Sequence, residues 1–191
     1  RADGFSNTAY NLTVDLKHIE AYSSLASIVV GRMDLMAFVK SYTKSLNLTD
    51  NSMRRFISQI ARDFLRGELS DSELAAFRGI TTTVASAGGG LEDAVGLVIE
   101  AMLQSPRFIY RIENQIGDGG VWPISEYELA SRMSFIIWGS APDKKLLNYA
   151  QSGELSFPEV LDEEIERMLD DDRAVGRSLG FVREWLNLNR L

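Results

Sequence analysis

The stretch DNSMRRFISQIARDFLRG, residues 50–67, decides the fold class of this chain. Its apolar residues recur three and four positions apart, which is the spacing of one face of an α-helix. The predicted buried stripe consists of Met53, Phe56, Ile57, Ile60, Phe64 and Leu65, and the other face consists of Arg54, Arg55, Arg62 and Arg66. Asp50 or Asn51 can cap this helix at its start, and Gly67 can end it. The stretch therefore predicts one complete amphipathic helix.

Two further helices are predicted before this stretch. The first runs from Val14 to Gly31, and the second runs from Asp34 to about Leu46. The apolar face of the first helix consists of Leu16, Ile19, Tyr22, Leu25, Ala26 and Val29.

Helical patterns also follow the stretch. Ser70 and Glu73 have the spacing of a capping box, in which each side chain bonds the backbone amide of the other residue. The helix that they begin should last until the glycines at 88–90, and an apolar helix should follow at 91–104. The Ser-Pro pair at 105–106 fits a cap and a first-turn proline for a helical segment that reaches Glu113.

The last third of the chain repeats these signals. Ser125 and Glu128 form a second capping-box pattern, which begins a helix with the buried residues Leu129, Met133, Phe135, Ile136, Ile137 and Trp138. Pro142 should begin a short helix that ends near Gly153. Pro158 should begin another, with the stripe Val160, Leu161, Ile165, Met168 and Leu169. Asp172 can cap a last helix with the stripe Val175, Leu179, Val182, Trp185 and Leu186.

Together these patterns predict an all-α protein. We expect an irregular multi-helix bundle of about eight or nine helices, formed as one body or as two packed helical subdomains. Three glycines make residues 114–121 the best candidate for a linker. The predicted divisions are an N-terminal segment and helical pair at 1–48, a middle helical domain at 49–115 and a C-terminal helical domain at 121–191.

The composition limits the classes of function. Of the 191 residues, 45% are hydrophobic and 25% are charged, as in ordinary globular proteins. A net charge of -7 argues against a nucleic-acid partner, because phosphate binding depends on clustered Lys and Arg. The apolar runs are far shorter than the roughly 20 residues of a membrane span, so no transmembrane segment is expected. The chain begins RADGF, without an initiator Met or a signal-peptide core, and we expect that it belongs to something longer.

No catalytic, cofactor-binding or metal-ligating residue is predicted. The chain contains no cysteine, which excludes thiolate metal sites and covalent haem attachment through Cys-x-x-Cys-His within it. His18 is the one histidine, and no second strong ligand has metal-motif spacing to it, so we interpret it as a surface or helix-end residue. The triglycine lacks the Lys and Ser or Thr of a phosphate loop, and we interpret it as a flexible turn.

The charged clusters are also given a structural interpretation. The acidic run Asp162, Glu163, Glu164, Glu166 and Asp170 to Asp172 lacks the pattern of a calcium loop, so we interpret it as a solvated helix face with one residue acting as a cap. The four arginines of residues 54–66, and the second group Arg107, Arg111 and Arg132, are expected to pair with acidic residues inside the fold rather than to bind an anion.

Several motifs resemble a known series of proteins. They are LQSPRFIYRIE at 103–113, ELASRMSF at 128–135 and WGSAPD at 138–143, with FLR at 64–66, LSDSEL at 69–74 and WLNL at 185–188. These motifs are similar to those of large exported proteins of Planctomycetes and related bacteria, in which helical domains of unknown function accompany c-type cytochrome modules. Residues 1 to about 30, with GFSN at 4–7 and LKHIEAY at 16–22, resemble the tail of the domain that precedes them in such proteins.

The resemblance implies an exported, periplasmic parent protein with haem elsewhere in its chain, and no cofactor within these residues. Its implied partners are other domains of the same parent, including a c-type cytochrome module. A non-catalytic scaffold or interaction region is the leading hypothesis. The alternative is part of an oxidoreductase or polymer-degrading enzyme whose site is built from carboxylates and aromatics such as Trp122, Tyr127 or Trp138. A deep cleft lined by two carboxylates and an exposed Trp would favour the enzyme, and a closed core with a flat apolar patch would favour the scaffold.

Overall fold

The computed structural model describes residues 16–113 and 123–188, and within these ranges the chain forms ten helices and no strand. The helices are α1 Leu16–Gly31, α2 Leu35–Tyr42, α3 Asp50–Leu65, α4 Asp71–Ser86, α5 Leu91–Leu103, α6 Pro106–Ile109, α7 Glu126–Ile137, α8 Lys144–Ser152, α9 Pro158–Leu169 and α10 Asp172–Trp185. The all-α prediction is confirmed. The observed count is slightly higher than eight or nine, and it includes the four-residue helix α6.

The chain divides into two compact units. Residues 15–112, with α1 to α6, form the first unit, and residues from 113 onward, with α7 to α10, belong to the second. The predicted linker at 114–121 lies outside the described residues. The three-part division at 1–48, 49–115 and 121–191 stays a prediction.

The core of the first unit forms around α3 and α5. The stripe predicted for residues 50–67 is buried, with Phe64 packed against it as a partly buried ring. Facing it are the buried α5 residues Val95, Val98, Ile99 and Met102. A Cβ atom on Gly96 would lie 3.3 Å from side-chain atoms of Val30 and Leu35, so this glycine allows the start of α2 and the end of α1 to approach α5 closely.

Both ends of α3 differ from the prediction. Thr49 is the cap, with its hydroxyl accepting from the amide of Ser52 at 3.3 Å, so Asp50 is the first helical residue. At the other end Arg66, rather than Gly67, has the left-handed conformation, with φ of 55°. This conformation is uncommon for a residue with a side chain.

Two other predicted helices in this unit are shorter than expected. Helix α2 ends at Tyr42 because Thr43 is extended, with φ of -129°. Helix α6 ends at Ile109 and does not reach Glu113, because Tyr110 is extended as well. Periodicity alone places these ends too late, since it does not detect the backbone turn.

Helix α1 does not bury its predicted apolar face. Its buried residues are Ala26 and Val30, while the larger side chains Leu16, Ile19, Leu25, Ile28 and Val29 are exposed. We call these five residues the α1 face. These five residues are spread around the helix, since residues 16 and 25, and residues 19 and 28, point to opposite sides at about 3.6 residues per turn. Apolar side chains are therefore exposed on more than one side of α1, and the helix contacts α5 with Ala26 and Val30 buried.

The second unit packs α7, α8, α9 and the beginning of α10. Its buried residues are Ala130, Met133, Trp138, Leu146, Ala150, Leu155, Met168 and Ala174. The predicted capping box of Ser125 and Glu128 is present, as is the box of Ser70 and Glu73 in the first unit. Helix α8 begins after the cap Asp143, and Gly153 ends it with φ of 76°.

Several side chains predicted to be buried in this unit lie in solvent. In α7 and α9 these are Ile136 and Leu169, which are 62% and 57% exposed. In α10 the whole predicted stripe is exposed, and Ala174 is the buried residue. The cap of α10 is Asp171 and not Asp172, since its carboxylate accepts from the amide of Arg173 at 2.9 Å.

No single helix in the described ranges is long and apolar enough to span a membrane. Helices α1 and α2 pass the test of length and composition only as a pair, with a bend of 83° between them.

The α3–α5 core predicts a clear difference between two isoleucine substitutions in the first unit. Ile60→Ala should lower the free energy of unfolding by roughly 2 to 5 kcal/mol, because it leaves a cavity in a fully buried site. The matched control is Ile28→Ala, in the α1 face, which should change it by about 0.5 kcal/mol or less. Hydrogen exchange of the slowest α5 amides measures both effects, and equal effects would contradict the assigned core.

Candidate functional site

The end of α3 is bonded to α6 by one arginine. The Arg66 guanidinium donates to three backbone carbonyls, those of Arg107 at 2.5 Å, Tyr110 at 2.9 Å and Phe108 at 3.3 Å. Burial lowers the pKa of Arg66, and the positive charges of Arg107 and Arg111 lower it further. The last turn of α6 leaves carbonyls without helical partners, and a planar five-donor group can satisfy several of them at once.

Arg107 connects α6 back to the start of α4. Its guanidinium donates to Glu73 Oε1 at 2.9 Å and to the carbonyl of Glu68 at 3.0 Å. Glu73 also accepts from the amide of Ser70 at 2.8 Å as part of the capping box. Burial raises the pKa of Glu73, but the hydrogen bonds from Ser70 and Arg107 outweigh it, so its pKa lies below the usual value. We call Arg66, Arg107 and Glu73 the α6 clamp.

The α6 clamp gives a structural role to several residues of the LQSPRFIYRIE motif. Ser105 caps α6 by accepting from the amide of Arg107 at 3.3 Å, and the carbonyls that follow receive Arg66. The FLR motif supplies Arg66 and the LSDSEL motif supplies Glu73. Three of the motifs behind the resemblance therefore contribute to one set of contacts that joins α3, α4 and α6.

Loss of the α6 clamp should loosen α6 specifically. Arg66→Ala should cost about 2 to 3 kcal/mol, because three carbonyls lose a charged donor. Arg66→Lys should have a smaller effect, since it keeps the charge but not the planar group. Hydrogen exchange at residues 105–110 should become about 30-fold to 100-fold faster in the alanine variant.

The control for this prediction is Arg55→Ala, which removes an exposed arginine of the same helix. It should leave exchange at 105–110 unchanged. A result in which both alanine variants behave alike would show that Arg66 does not hold α6.

The second unit contains a buried carboxylate. The Glu164 side chain is 1% exposed, and it pairs with Lys145 Nζ at 2.5 Å and with Arg167 Nη2 at 2.6 Å. Arg167 also pairs with Asp143 at 2.9 Å, so the cap of α8 belongs to the same cluster. The interpretation of the whole acidic run as a solvated face is wrong at Glu164, because this residue lies on the side of α9 that packs inward.

The electrostatics of Glu164 are those of an ionised structural group. Burial raises its pKa, but hydrogen bonds from Arg167 and Lys145 outweigh burial, and the pKa of Glu164 lies below its usual value. In the described ranges, no group of three or more His, Cys, Asp or Glu side chains is arranged to hold a metal ion. The carboxylate is thus held in the charged form by cations of its own unit.

Trp138 completes this cluster from the WGSAPD motif. The ring is 5% exposed, and its Nε1 donates to the carbonyl of Met168 at 2.9 Å. The Arg173 guanidinium lies 3.5 Å from the ring centroid, which is cation–π geometry, and it also pairs with Asp171 at 2.6 Å. Through Trp138 and Arg173 the start of α10 is attached to α7 and α9.

Glu164→Gln should destabilise the second unit at neutral pH by roughly 2 to 3 kcal/mol, near the low end for breaking a buried pair because Lys145 is half exposed. The pKa of Glu164 is lowered by folding, so the stabilisation is complete above its ordinary value of 4.5 and is lost as pH falls through the lower folded value. The difference between variant and wild type should therefore disappear in acid. Urea unfolding followed by tryptophan fluorescence measures it.

The neighbouring Glu163→Gln is the matched control, because Glu163 is exposed. It should change the free energy of unfolding by about 0.5 kcal/mol or less at any pH. An equal effect of the two substitutions, or a difference at Glu164 that grows in acid, would contradict the assigned ion pairs.

The other predicted candidates have structural positions. His18 lies on the exposed side of α1. At the triglycine, a Cβ atom on Gly89 would lie 2.5 Å from Val84 Cγ1, so the turn requires glycine for close packing. Arg54 pairs with Asp50 at 2.8 Å and Arg132 pairs with Glu113 at 2.7 Å, so both arginines pair with acidic residues as expected, but the two pairs are about half exposed and lie at the surface.

An open groove of about 440 Å³ lies along α5, lined by Leu35, Glu92, Asp93, Gly96, Leu97 and Glu100. It has carboxylates but no aromatic ring, and Asp93 accepts from the amide of Gly90 at 2.8 Å to cap α5. Of the aromatics named for an enzyme site, Trp138 is buried, Tyr127 packs against the second core, and Trp122 lies outside the described residues. The groove therefore does not match the cleft expected for that alternative.

Among the described residues, large exposed apolar side chains are the other candidate for a functional surface. Val175, Leu179 and Val182 of α10 are 59%, 54% and 40% exposed, and the C-cap residue Leu186 is 54% exposed; we call these four residues the α10 seam. Beside the seam, Trp185 is 65% exposed and stacks on Phe181 with ring centroids 6.3 Å apart. The α10 surface in one unit and the α1 face in the other are two separate candidate contact surfaces. Sequence periodicity detected the apolar residues but assigned most of them to the core.

Comparison with protein families finds two partial matches in this chain. Residues 52–113 match the model of a family described as "Protein of unknown function (DUF1595)". Residues 124–191 match the model of a second family described as "Protein of unknown function (DUF1592)". The first match covers most of α3 to α6 and the second covers α7 to α10, while α1 and α2 lie outside both.

The chain is thus similar to two families of helical domains whose function is unknown, which supports the resemblance at that level. No curated protein and no solved structure matches it.

Proposed function

We propose that this chain is a non-catalytic helical scaffold whose exposed apolar faces contact other protein. The observation behind the proposal is that α1 and α10 place large apolar side chains in solvent. Large exposed apolar patches on a folded protein mark sites that contact protein, membrane or ligand. Of the charged side chains of the motifs, Arg66, Glu73 and Arg107 are engaged in the α6 clamp, and Asp143 is engaged in the cluster around Glu164.

We further propose that the parent is an exported, periplasmic protein of the Planctomycete type with c-type cytochrome modules elsewhere in its chain. The support is the set of motifs at 103–113, 128–135 and 138–143. Since the chain has no cysteine, a covalently attached haem would lie outside these residues. In this arrangement the α1 face contacts a neighbouring domain of the parent, since α1 lies outside both matched domains.

Two measurements on the parent protein test this proposal. The parent should show a haem absorption band, and the 191-residue chain alone should be colourless. The amides of α1 should exchange at least 10-fold more slowly in the parent than in the 191-residue chain, because a contact covers the α1 face.

Helix α4 provides the internal control, since none of its residues is a large exposed apolar side chain of the kind that the proposal places in a contact. Its exchange should be the same in both proteins. A parent without haem would contradict the cytochrome association, and unchanged exchange in α1 would contradict the contact.

A further inference from the structure

We propose that α1 is a hinged arm, which leaves α5 and returns to it while the rest of the first unit stays folded. The inference goes beyond the proposed function, in which α1 is a contact surface, because it concerns how α1 is held and what it covers. The contact that attaches α1 to its unit is small, and the chain between α1 and α2 is built as a hinge.

Helix α1 is attached through few buried side chains. Of its 16 residues, Ala26 and Val30 are buried, and α5 is the main neighbour of this helix in the described part of the chain. By contrast, α3 buries six residues, among them Phe56 and Ile60. Stabilisation by apolar burial grows with the area removed from water, so α1 is held much less firmly than the helices of the α3–α5 core.

The contact between α1 and α5 lies over a glycine. Val30 Cγ1 lies 3.3 Å from the position that a Cβ atom on Gly96 would take, and Ala26 adds only a methyl group to the contact. A glycine lets two helices approach closely, but it offers no side chain that could interlock with the neighbour. The fit is therefore close without being strong.

The short break between α1 and α2 allows one helix to move without the other. Helix α1 ends at Gly31, and the two helices are bent by 83° across the break. Helix α2 has a cap of its own, because the Asp34 carboxylate accepts from the amide of Ala37 at 2.8 Å. Its first residue, Leu35, is anchored in the core. Rotation at residues 31–33 therefore breaks no hydrogen bond within α2, as expected of a hinge at the end of a helix.

Movement of the arm would change the groove on α5. Leu35 and Gly96 line this groove of about 440 Å³, and Val30 of the arm packs against the same glycine. When α1 leaves, Val30 leaves with it, and the groove extends over the part of α5 that α1 covered. The arm thus acts as a lid that determines how much of α5 is open to a ligand or a partner.

Native-state hydrogen exchange of the 191-residue chain tests the arm. In wild type the slowest amides of α1 should exchange at least about 100-fold faster than the slowest amides of α5, because α1 opens without global unfolding. Urea below the unfolding transition should accelerate exchange in α5 more steeply than in α1, since opening of the arm exposes much less surface than global unfolding does.

A pair of substitutions tests whether the core depends on the arm. Ala26→Glu places a charge at a site that is 2% exposed, and Ser27→Glu is the matched control, because it adds the same side chain at the exposed neighbouring position. Ala26→Glu should accelerate exchange in α1 about 10-fold or more and leave α5 within about two-fold of wild type. The control should leave both helices unchanged.

Equal rates for the slowest amides of α1 and α5 in wild type would overturn the arm. So would an Ala26→Glu variant that accelerates α5 as much as α1, which includes a variant that fails to fold, or one that behaves like Ser27→Glu. These outcomes are separate from the proposed function, since a neighbouring domain of the parent can cover α1 whether or not the helix moves in the 191-residue chain.

Discussion

The contact between the apolar stripe of α3 and α5 is the interaction on which the first unit depends. Side chains such as Phe56, Ile60 and Ile99 are almost completely buried there, and α2, α4 and α6 add partly buried residues to the same core. Burial of apolar surface is the main favourable term in folding, but it does not fix where each helix ends. Polar contacts at the helix termini fix where each helix ends. The most distinctive motifs of the chain lie at those termini for this reason.

In both units arginine or lysine side chains compensate polar groups of the protein, and the residues differ between the units. In the first, Arg66 and Arg107 satisfy carbonyls and the Glu73 carboxylate where α3, α4 and α6 meet. In the second, Arg167 and Lys145 compensate the buried Glu164 carboxylate. Charges held in this way are expensive to disturb, because removal of one partner leaves a buried group without compensation. They are poorly suited to act as acids or bases at neutral pH, which agrees with a scaffold more than with an enzyme.

Much of the fold could be predicted from sequence because the relevant signals are local. The stripe of residues 50–67 and the capping boxes at Ser70 and Ser125 depend on spacing within one or two helical turns. The exposure of the α1 face and the α10 seam could not be predicted in this way. Periodicity detects apolar residues on a helix, but it does not show whether another part of the chain covers them.

The charged sites were equally hard to predict. Glu164 lies in a run of acidic residues that looks solvated, and only its tertiary contacts, among them the pair with Lys145 of α8, distinguish it from its neighbour Glu163. The hydrogen bonds of Arg66 were missed for a related reason, because its carbonyl partners lie more than 40 residues away in sequence.

The central claim is that the α1 face and the α10 seam are contact surfaces. Hydroxyl-radical labelling of the dilute 191-residue chain and of the assembled parent protein tests it most directly, side chain by side chain. Leu25 and Leu179 should react readily in the dilute chain and several-fold more slowly in the assembly, while the buried Leu146 should react slowly in both. Equal labelling of Leu25 and Leu179 in the two samples would contradict the account.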